Sequence, residues 1–280
     1  MIPSKKLVST LCTVTLIPFL FSGCAKKGPC LQCASSQKQE AQVLSDKENK
    51  WKELNGKVFE LYSLKQYPMA TTFAKDALRF AKKEFGSNDR KTATSYNNLA
   101  ELFRLQDNFL DAERNYREAI KIERKALGVD HPDYAISLNN LASLYFQVRR
   151  FNEAEPLYKE SLRIIEKSTS KDDVKLFDTV NNLGQLYKAE RKYSDSEYFF
   201  KRLLTIAKKA KGDQDPAYAR ILNELGALYF VEGKYKEAEP LFKQALVILE
   251  KNIGKNHPSL KVLYDNLSIV DKKIKEIKRV

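Results

Sequence analysis

The stretch Asn139-Asn140-Leu141-Ala142-Ser143-Leu144-Tyr145 is repeated along most of this chain. Related copies begin at Asn97, Asn181 and Asn223, and a shorter copy begins at Asp265. The leucine in third position stands at 99, 141, 183, 225 and 267, so that every step is 42 residues. A constant period in this range indicates a solenoid, in which each repeat is one supersecondary unit stacked on its neighbours.

Within one repeat, the apolar and small residues form two stripes that are spaced for α-helices. Members of each stripe recur at i, i+3 or i+4 and i+7, which places them on one helical face. The two stripes are Leu138, Leu141, Ala142 and Tyr145, and then Phe151, Ala154, Tyr158 and Ser161. The small residues allow two helices to approach closely, while the aromatic side chains fill the space beside them. We therefore predict an all-α chain of helix pairs.

The junctions between repeats carry helix stop and start signals. The glycines at the ends of second helices are Gly86, Gly128, Gly212 and Gly254. Glycine accepts the left-handed conformation that ends many helices, and a proline four residues later suits the first turn of the next helix. The residue before that proline is His131, Asp215 or His257, which predicts an N-cap there and argues against catalysis or metal binding. One junction has Ser170 and Val174 instead, and we expect a looser turn there.

This pattern resembles the tetratricopeptide repeat. The small residue at Ala142 or Gly184, the tyrosine at Tyr145 and the residues Ala154 and Tyr158 carry the resemblance. The usual unit has about 34 residues, whereas the 42-residue period here is similar to the kinesin-light-chain type. The resemblance implies a right-handed superhelical solenoid of five antiparallel helix pairs with a C-terminal capping helix. The expected units are 47–88, 89–130, 131–172, 173–214 and 215–256, with the capping helix at 257–280.

The start of the chain has the features of an export signal. Lys5 and Lys6 precede an apolar run, residues 7–21, that is too short to span a bilayer as a stable helix. A basic start, a short apolar run and small residues are typical of a secretory signal peptide. We expect this signal peptide to cover residues 1–23.

The end of that segment, Ser22-Gly23-Cys24, resembles the lipobox of bacterial lipoproteins. The resemblance implies that Cys24 is acylated, for example with palmitate, and becomes the first residue of a membrane-anchored chain. Ala25 stands where an aspartate would imply retention in the inner membrane. The resemblance therefore favours an outer-membrane lipoprotein that faces the periplasm.

Residues 24–46 are polar and lack apolar periodicity, so we predict a flexible tether between the anchor and the repeats. Cys30 and Cys33 lie within this segment. Because Ala34 follows instead of histidine, covalent haem attachment is excluded, and there is no second cysteine pair for a zinc site. A disulfide between the two cysteines and two free thiols both remain open.

The sequence contains no recognisable catalytic or cofactor-binding motif. We find no glycine-rich phosphate loop, no cluster of metal ligands and no nucleophile–base signature. We therefore expect neither an enzyme nor a bound cofactor or metal.

The candidate binding site is the concave groove lined by the first helix of each pair. If Leu141 and Tyr145 face the core, the second asparagine of each repeat points into that groove. The positions concerned are Asn98, Asn140, Asn182, Glu224 and Asn266. The resemblance implies that they bind the backbone of an extended peptide, since an amide side chain offers both donor and acceptor. The alternative is that asparagines bridge neighbouring helices, which suits the first asparagines Asn97, Asn139, Asn181 and Asn223 better.

Other groove positions would set the specificity for the peptide. They are Glu101, Arg104, Ser143, Phe146, Asp178, Gln185, Lys188, Arg220 and Phe230. The two-carboxylate clamp of the family needs a lysine where Asn97 or Asn139 stands. We therefore do not predict capture of an acidic peptide terminus.

The net charge of the chain is +13. The lysines alternate with glutamates along the second helices and form no aromatic–basic stripe, which argues against a nucleic-acid partner. Attraction to an anionic membrane or cell-wall polymer stays open.

The expected function is that of a membrane-anchored adaptor for a protein or peptide partner in envelope assembly, secretion or pilus biogenesis. The alternative is a structural scaffold that uses its convex or terminal faces for self-association or for contact with a cell-wall polymer. The oligomeric state is undetermined.

Overall fold

The computed structural model describes residues 31–278, and the side chains from residue 39 onward. Across this range the chain is helical and contains no β-strand. The helices divide into two compact units, one ending at Ala126 and one beginning at Leu127, and each unit is described by itself. Among the described residues, no helix combines the length and apolar character needed to cross a membrane.

The first unit contains two helix pairs. They are α1 (Leu31–Ser63) with α2 (Tyr67–Glu84), and α3 (Arg90–Leu105) with α4 (Phe109–Ala126).

The second unit contains three helix pairs and a closing helix. They are α5 (Pro132–Gln147) with α6 (Phe151–Ser168), α7 (Phe177–Ala189) with α8 (Tyr193–Lys211), α9 (Pro216–Val231) with α10 (Tyr235–Ile253), and α11 (Lys261–Ile277). The all-α prediction of five helix pairs and a closing helix is confirmed.

Helix α1 begins earlier than the sequence predicts. It starts at Leu31, so residues 31–46 are helical rather than a flexible part of the tether. No glycine or proline interrupts the chain between Leu31 and Asn55, and Lys47 forms an ion pair with Glu84 of α2 at 3.0 Å. The expected signal peptide, Cys24 and Cys30 lie outside the described residues, as does the side chain of Cys33.

The core consists of small residues packed beside large ones, as the two stripes predict. The fully buried aromatic side chains are Tyr116, Tyr158, Phe200 and Phe242. They stand at one repeat position on α4, α6, α8 and α10, where α2 has Ala74 instead. Ala154 and Ala238 nearby are also fully buried. Burial of such large apolar side chains is the main term that stabilises a stack without disulfides.

The junctions between repeats are capped as predicted. Gly128 and Gly212 have φ values of +88° and +85°, the left-handed conformation that favours glycine. His131 Nδ1 accepts a hydrogen bond from the backbone N–H of Asp133 at 3.1 Å. Asp215 Oδ1 accepts one from Ala217 at 2.7 Å.

The same cap recurs at every junction in the described part of the chain. His257 Nδ1 accepts a hydrogen bond from the N–H of Ser259 at 3.3 Å. Asp89 and Asp173, which the sequence analysis did not identify as caps, accept hydrogen bonds from Lys91 and Lys175 at 2.7 and 2.8 Å. The structural role of both histidines is thus confirmed. The junction without glycine and proline differs as expected, since a 3₁₀ turn, Val174–Leu176, precedes the short helix α7.

Helix α11 exposes residues at positions that are buried in complete pairs. Lys261 is exposed where Ala135 and Ala219 of the earlier first helices are fully buried. Tyr264 is 40% exposed where Leu222 is 2% exposed. The polar substitutions are those expected of a helix that ends a stack of repeats.

Candidate functional site

The asparagines of the repeat connect successive first helices. In the first unit, Asn98 Nδ2 of α3 donates a hydrogen bond to Asn55 Oδ1 of α1 at 2.9 Å. In the second unit, Asn182 Nδ2 of α7 donates to Asn139 Oδ1 and Ser143 Oγ of α5, at 3.2 and 3.3 Å. In both cases the second asparagine of one repeat contacts the first asparagine of the preceding repeat, 43 positions earlier. These side chains therefore bridge helices, which is the alternative that the sequence left open.

The same two side chains still present an acceptor. Among the described residues, the Oδ1 atoms of Asn98 and Asn182 accept no hydrogen bond, and both residues are partly exposed. A side-chain amide oxygen has two lone pairs, each of which can accept an N–H. The bridge orients the amide nitrogen toward the neighbouring helix and leaves the oxygen available to a ligand. In each unit taken by itself, we call the partly exposed side of the first helices that carries this asparagine the first-helix face of that unit. It carries Asn98 in the first unit, and Asn182 and its equivalents in the second.

The remaining members of the predicted series lie on the expected helices of the second unit. Asn140 on α5 and Asn266 on α11 are partly buried. Glu224 on α9 accepts hydrogen bonds from Gln185 Nε2 at 3.1 Å and from Lys188 Nζ at 2.9 Å, both on α7. Lys188 and Glu224 thus neutralise each other across neighbouring first helices. To contact a peptide as the predicted specificity residue, Lys188 would have to give up this ion pair with Glu224.

Arg104 also has an intramolecular partner. Its guanidinium forms a two-pronged contact with Glu101, with Nε to Oε2 at 2.9 Å and the terminal nitrogen to Oε1 at 2.6 Å. The hydroxyl of the buried Tyr116 donates to the same carboxylate at 2.6 Å. Burial by itself would raise the pKa of Glu101, but the hydrogen bonds from Arg104 and Tyr116 outweigh it and lower that pKa below its ordinary value. Arg104 is therefore part of the packing of α3 against α4.

The two aromatic candidates contact the second helix of their own pair. The ring centroids of Phe146 and Phe151 are 5.6 Å apart, and those of Phe230 and Tyr235 are 5.4 Å apart. These contacts fix the end of each helix pair. Arg220 differs from the other candidates because it is exposed and forms no ion pair or hydrogen bond with any described residue.

A second repeated contact was not predicted from the sequence. Tyr187 Oη donates to Glu155 Oε1 at 2.9 Å, and Tyr229 Oη donates to Glu197 Oε1 at 2.8 Å. The hydrogen bond from Lys159 outweighs partial burial and lowers the pKa of Glu155. Each contact joins a second helix to the next first helix, 32 residues later. The constant spacing of 32 residues between glutamate and tyrosine was the feature of the sequence that could have indicated this contact.

No group of histidine, cysteine, aspartate and glutamate side chains within the described ranges is arranged to hold a metal ion. The first-helix faces carry amide and hydroxyl groups together with the Lys188–Glu224 ion pair and the exposed Arg220. Such a surface can bind another chain through hydrogen bonds to its backbone.

Comparison with solved structures supports this architecture. BtubC (BKLC) from P. vanneervenii superposes with a TM-score of 0.67 at 24% identity, covering 80% of this chain and 92% of that one. A putative kinesin light chain from Podosopora anserina gives 0.64 at 19%, covering 72% and 96%. Pseudomonas aeruginosa pilF gives 0.55 at 16%, covering 83% and 93%. At these identities the similarity concerns the fold alone, and no curated protein gives a significant sequence match.

The sequence itself matches a family model along most of its length. The model describes the tetratricopeptide repeat, and it matches residues 59–125, 104–167, 175–251 and 219–278. Together with the helix pairs described above, these matches show that the chain belongs to the tetratricopeptide repeat family.

Proposed function

We propose that this protein is an adaptor that binds an extended segment of another protein along the first-helix face of a unit. Tetratricopeptide repeats serve protein–protein interaction. The observation that carries the proposal is the orientation of Asn98 and Asn182, whose amide nitrogens are held by the preceding repeat while their oxygens stay available. Because the oxygens are held in place before binding, little side-chain entropy is lost when a peptide N–H is bound.

Recognition of the backbone by such groups requires several of them. One hydrogen bond contributes about 0.5–1.5 kcal/mol net, so that a row of acceptors is needed for a stable complex. The second unit supplies further contacts on the same side of its first helices. Arg220 offers a cation that has no partner among residues 31–278, and Val231 and Ile269 are 58% and 45% exposed. These side chains would select among peptides that all share the same backbone.

We further propose that Cys24 carries a lipid that anchors the adaptor to a membrane, in the bacterial envelope and most simply the outer membrane. The motif Ser22-Gly23-Cys24 supports this assignment, and several acyl chains would give lasting attachment at about 0.8 kcal/mol for each buried methylene. An adaptor in envelope assembly, secretion or pilus biogenesis fits such a location. Labelling with radioactive palmitate should mark the wild type and not Cys24→Ser, and equal labelling would remove the anchor.

The competing function is a scaffold that associates with copies of itself. Tyr198 on α8 and Val247 on α10 favour this function, because they are 55% and 63% exposed on second helices. Exposed apolar side chains on that side would be covered by self-association.

Site-specific photo-crosslinking separates the two functions without breaking any helix bridge. A photoreactive residue is placed at Arg220 on the first-helix face, and at Thr205 or Gln244, which are exposed on second helices. The adaptor function predicts that a heterologous protein is crosslinked at Arg220 and not at the two controls. Crosslinks confined to Thr205 and Gln244, or dimers of the chain itself, would overturn it in favour of the scaffold.

A further inference from the structure

Lysines without ion-pair partners collect at one edge of the second unit. This junction edge consists of the inter-repeat connections and helix ends at residues 169–175, 208–217 and 251–261. Within the described part of the chain, its exposed lysines that form no ion pair are Lys171, Lys175, Lys209, Lys211, Lys251, Lys255 and Lys261. Lys209, Lys211 and Lys251 lie in the last turns of α8 and α10, where the helix dipole stabilises a cation. Lys171, Lys255 and Lys261 lie outside such turns and have no such role in stability.

The acidic groups of the junction edge are mostly engaged. Asp173 and Asp215 accept the N-cap hydrogen bonds of the following helices. Asp213 forms an ion pair with Lys208 at 3.0 Å, and Glu250 accepts a hydrogen bond from Tyr264. Asp172 is the remaining carboxylate. These hydrogen bonds leave the carboxylates charged, but the three segments hold eight lysines against four aspartates, so the edge has an excess of positive charge.

The opposite edge of the same unit, formed by the turns within the helix pairs, is different. Arg150 is paired with Glu153, Lys192 with Glu190 at 3.1 Å, and Lys234 with Glu232 at 2.9 Å. Three of the six basic residues in these turns, at residues 148–153, 190–195 and 232–237, are thus paired, whereas only Lys208 of the eight lysines on the junction edge is paired within the described part of the chain. The turns also contain five acidic residues against six basic ones, so the opposite edge is nearly neutral while the junction edge has eight lysines against four aspartates.

The connections that form the junction edge are held against successive helices. Arg202 of α8 donates a hydrogen bond to the carbonyl oxygen of Lys171 at 2.7 Å. Asn252 of α10 donates to the carbonyl oxygen of Gln214 at 3.2 Å. Each connection is thus fixed to the second helix of the next pair, and the lysines of successive junctions line up along one side of the unit.

Exposed apolar side chains lie among these lysines. Val174, at the start of the 3₁₀ turn, is 55% exposed, and Ile253, at the end of α10, is 39% exposed. Val174 stands where Pro216 stands in the next junction, and Ile253 stands where Lys211 stands in the preceding repeat. Basic and apolar groups on one surface are the combination that binds the interface of an anionic bilayer.

We propose that the junction edge of the second unit binds the surface of a membrane that contains anionic phospholipid. Each lysine near such a surface adds about 1 kcal/mol of attraction, and the apolar side chains enter the headgroup region. A bilayer fits better than a nucleic acid or an acidic protein, because the lysines are spread over three successive junctions with apolar residues between them. This inference is independent of the ligand of the first-helix face.

The test uses the full chain carrying Cys24→Ser, so that no acyl group contributes. Sedimentation is measured with vesicles of phosphatidylglycerol mixed with phosphatidylcholine, and with vesicles of phosphatidylcholine alone. The neutral vesicles measure the contribution of the apolar residues 7–21, which every variant shares. We expect the anionic vesicles to bind the chain more tightly, and the additional binding to disappear in high salt.

Two triple variants with equal loss of charge locate the surface. Lys209, Lys211 and Lys255, each changed to Gln, should weaken binding to anionic vesicles on the order of a hundredfold, since each lysine contributes about fivefold. Arg149, Arg191 and Lys236 on the opposite edge, each changed to Gln, should weaken it by less than about fivefold. Circular dichroism verifies that both variants are folded. Equal losses in the two variants, or equally tight binding to soluble polyglutamate or single-stranded DNA, would overturn the proposal.

Discussion

Gly184 on α7 lies against the ring of Phe200 on α8, so closely that a Cβ atom added at Gly184 would be 2.9 Å from Phe200 Cε1. The same relationship recurs one repeat later, where a Cβ at Gly226 would be 2.8 Å from Phe242 Cε1. In the preceding repeat, Ala142 occupies the glycine position. Its repeat has a tyrosine in place of the phenylalanine, and that hydroxyl donates to Ser143 at 3.1 Å. The first-helix position thus has alanine where the aromatic residue is tyrosine, and glycine where it is phenylalanine.

We predict that Gly184→Ala lowers the free energy of unfolding by about 1 kcal/mol. Alanine favours the helix by about 1 kcal/mol over glycine, but overpacking a close-packed core costs about 1–3 kcal/mol. Because Phe200 is completely buried and three of its ring atoms would lie 2.9–3.3 Å from the new Cβ, we expect the overpacking to prevail. Urea unfolding followed by circular dichroism measures the difference.

The matched control is Gly56→Ala on α1, where an added Cβ meets no atom within 4 Å. This variant should be about 0.5–1 kcal/mol more stable than the wild type. The double variant Gly184→Ala with Phe200→Leu should show favourable coupling in a double-mutant cycle. Additive effects would show that Phe200 is not the cause.

The stability of the first unit should depend on pH through Glu101. Its folded-state pKa is lowered by Arg104 and Tyr116, so the stabilisation is present at neutral pH and is lost as the pH falls through that pKa. Glu101→Gln should cost about 1–3 kcal/mol at neutral pH and should flatten the loss of stability below a pH of about 4. Trp51, which donates to Ser95 Oγ in the same unit at 2.9 Å, provides the fluorescence signal.

The control for this effect is Glu118→Gln on α4. Glu118 forms no ion pair within the part of the chain that the structure describes, so this change should leave both the stability and its pH dependence nearly unaltered. If the two glutamine variants behaved alike, the contact between Glu101 and Arg104 would not be the source of the acid sensitivity.

The turn within each pair offers a stabilising change. Arg191 follows α7 with a φ of +62°, and Gly233 occupies the equivalent position after α9 with a φ of +75°. A residue with a side chain is destabilised by about 1–2 kcal/mol in this left-handed conformation. Glycine avoids this cost, but part of the gain is offset because glycine has more conformational freedom in the unfolded chain. We expect Arg191→Gly to raise the melting temperature and Gly233→Ala to lower it. A lower melting temperature for Arg191→Gly, or a higher one for Gly233→Ala, would contradict the left-handed strain at this position.

We expect the asparagine bridges between first helices to contribute to the stability of the fold. Asn182→Ala removes the hydrogen bonds to α5 and should cost about 1 kcal/mol. Asn266→Ala, at the equivalent position of α11 and without a hydrogen bond to a described residue, should cost less than about 0.5 kcal/mol. Thermal melts of the two variants measure this difference. Equal melting temperatures would show that the bridge adds nothing to stability.

The repeat length, the helix pairs and the caps were predictable because each of them follows from local chemistry. The 42-residue period, the glycines and prolines of the junctions and the apolar stripes report on neighbours in sequence. The extension of α1 to Leu31 was missed because a polar helix without an apolar stripe resembles a tether in its composition. The expected site residues are found on the first helices, but Arg104 and Lys188 have partners that the pattern did not show.

The succession of residues was enough to establish the repeat architecture, because five copies at a constant step of 42 residues predict helix pairs that bury their apolar stripes against their neighbours. The three-dimensional arrangement was needed to learn which atoms a ligand can reach. Asn182 and Asn139 are 43 positions apart, and their hydrogen bond exists only once α5 and α7 are stacked. Whether a polar side chain is available for binding depends on contacts between distant repeats, which periodicity does not specify.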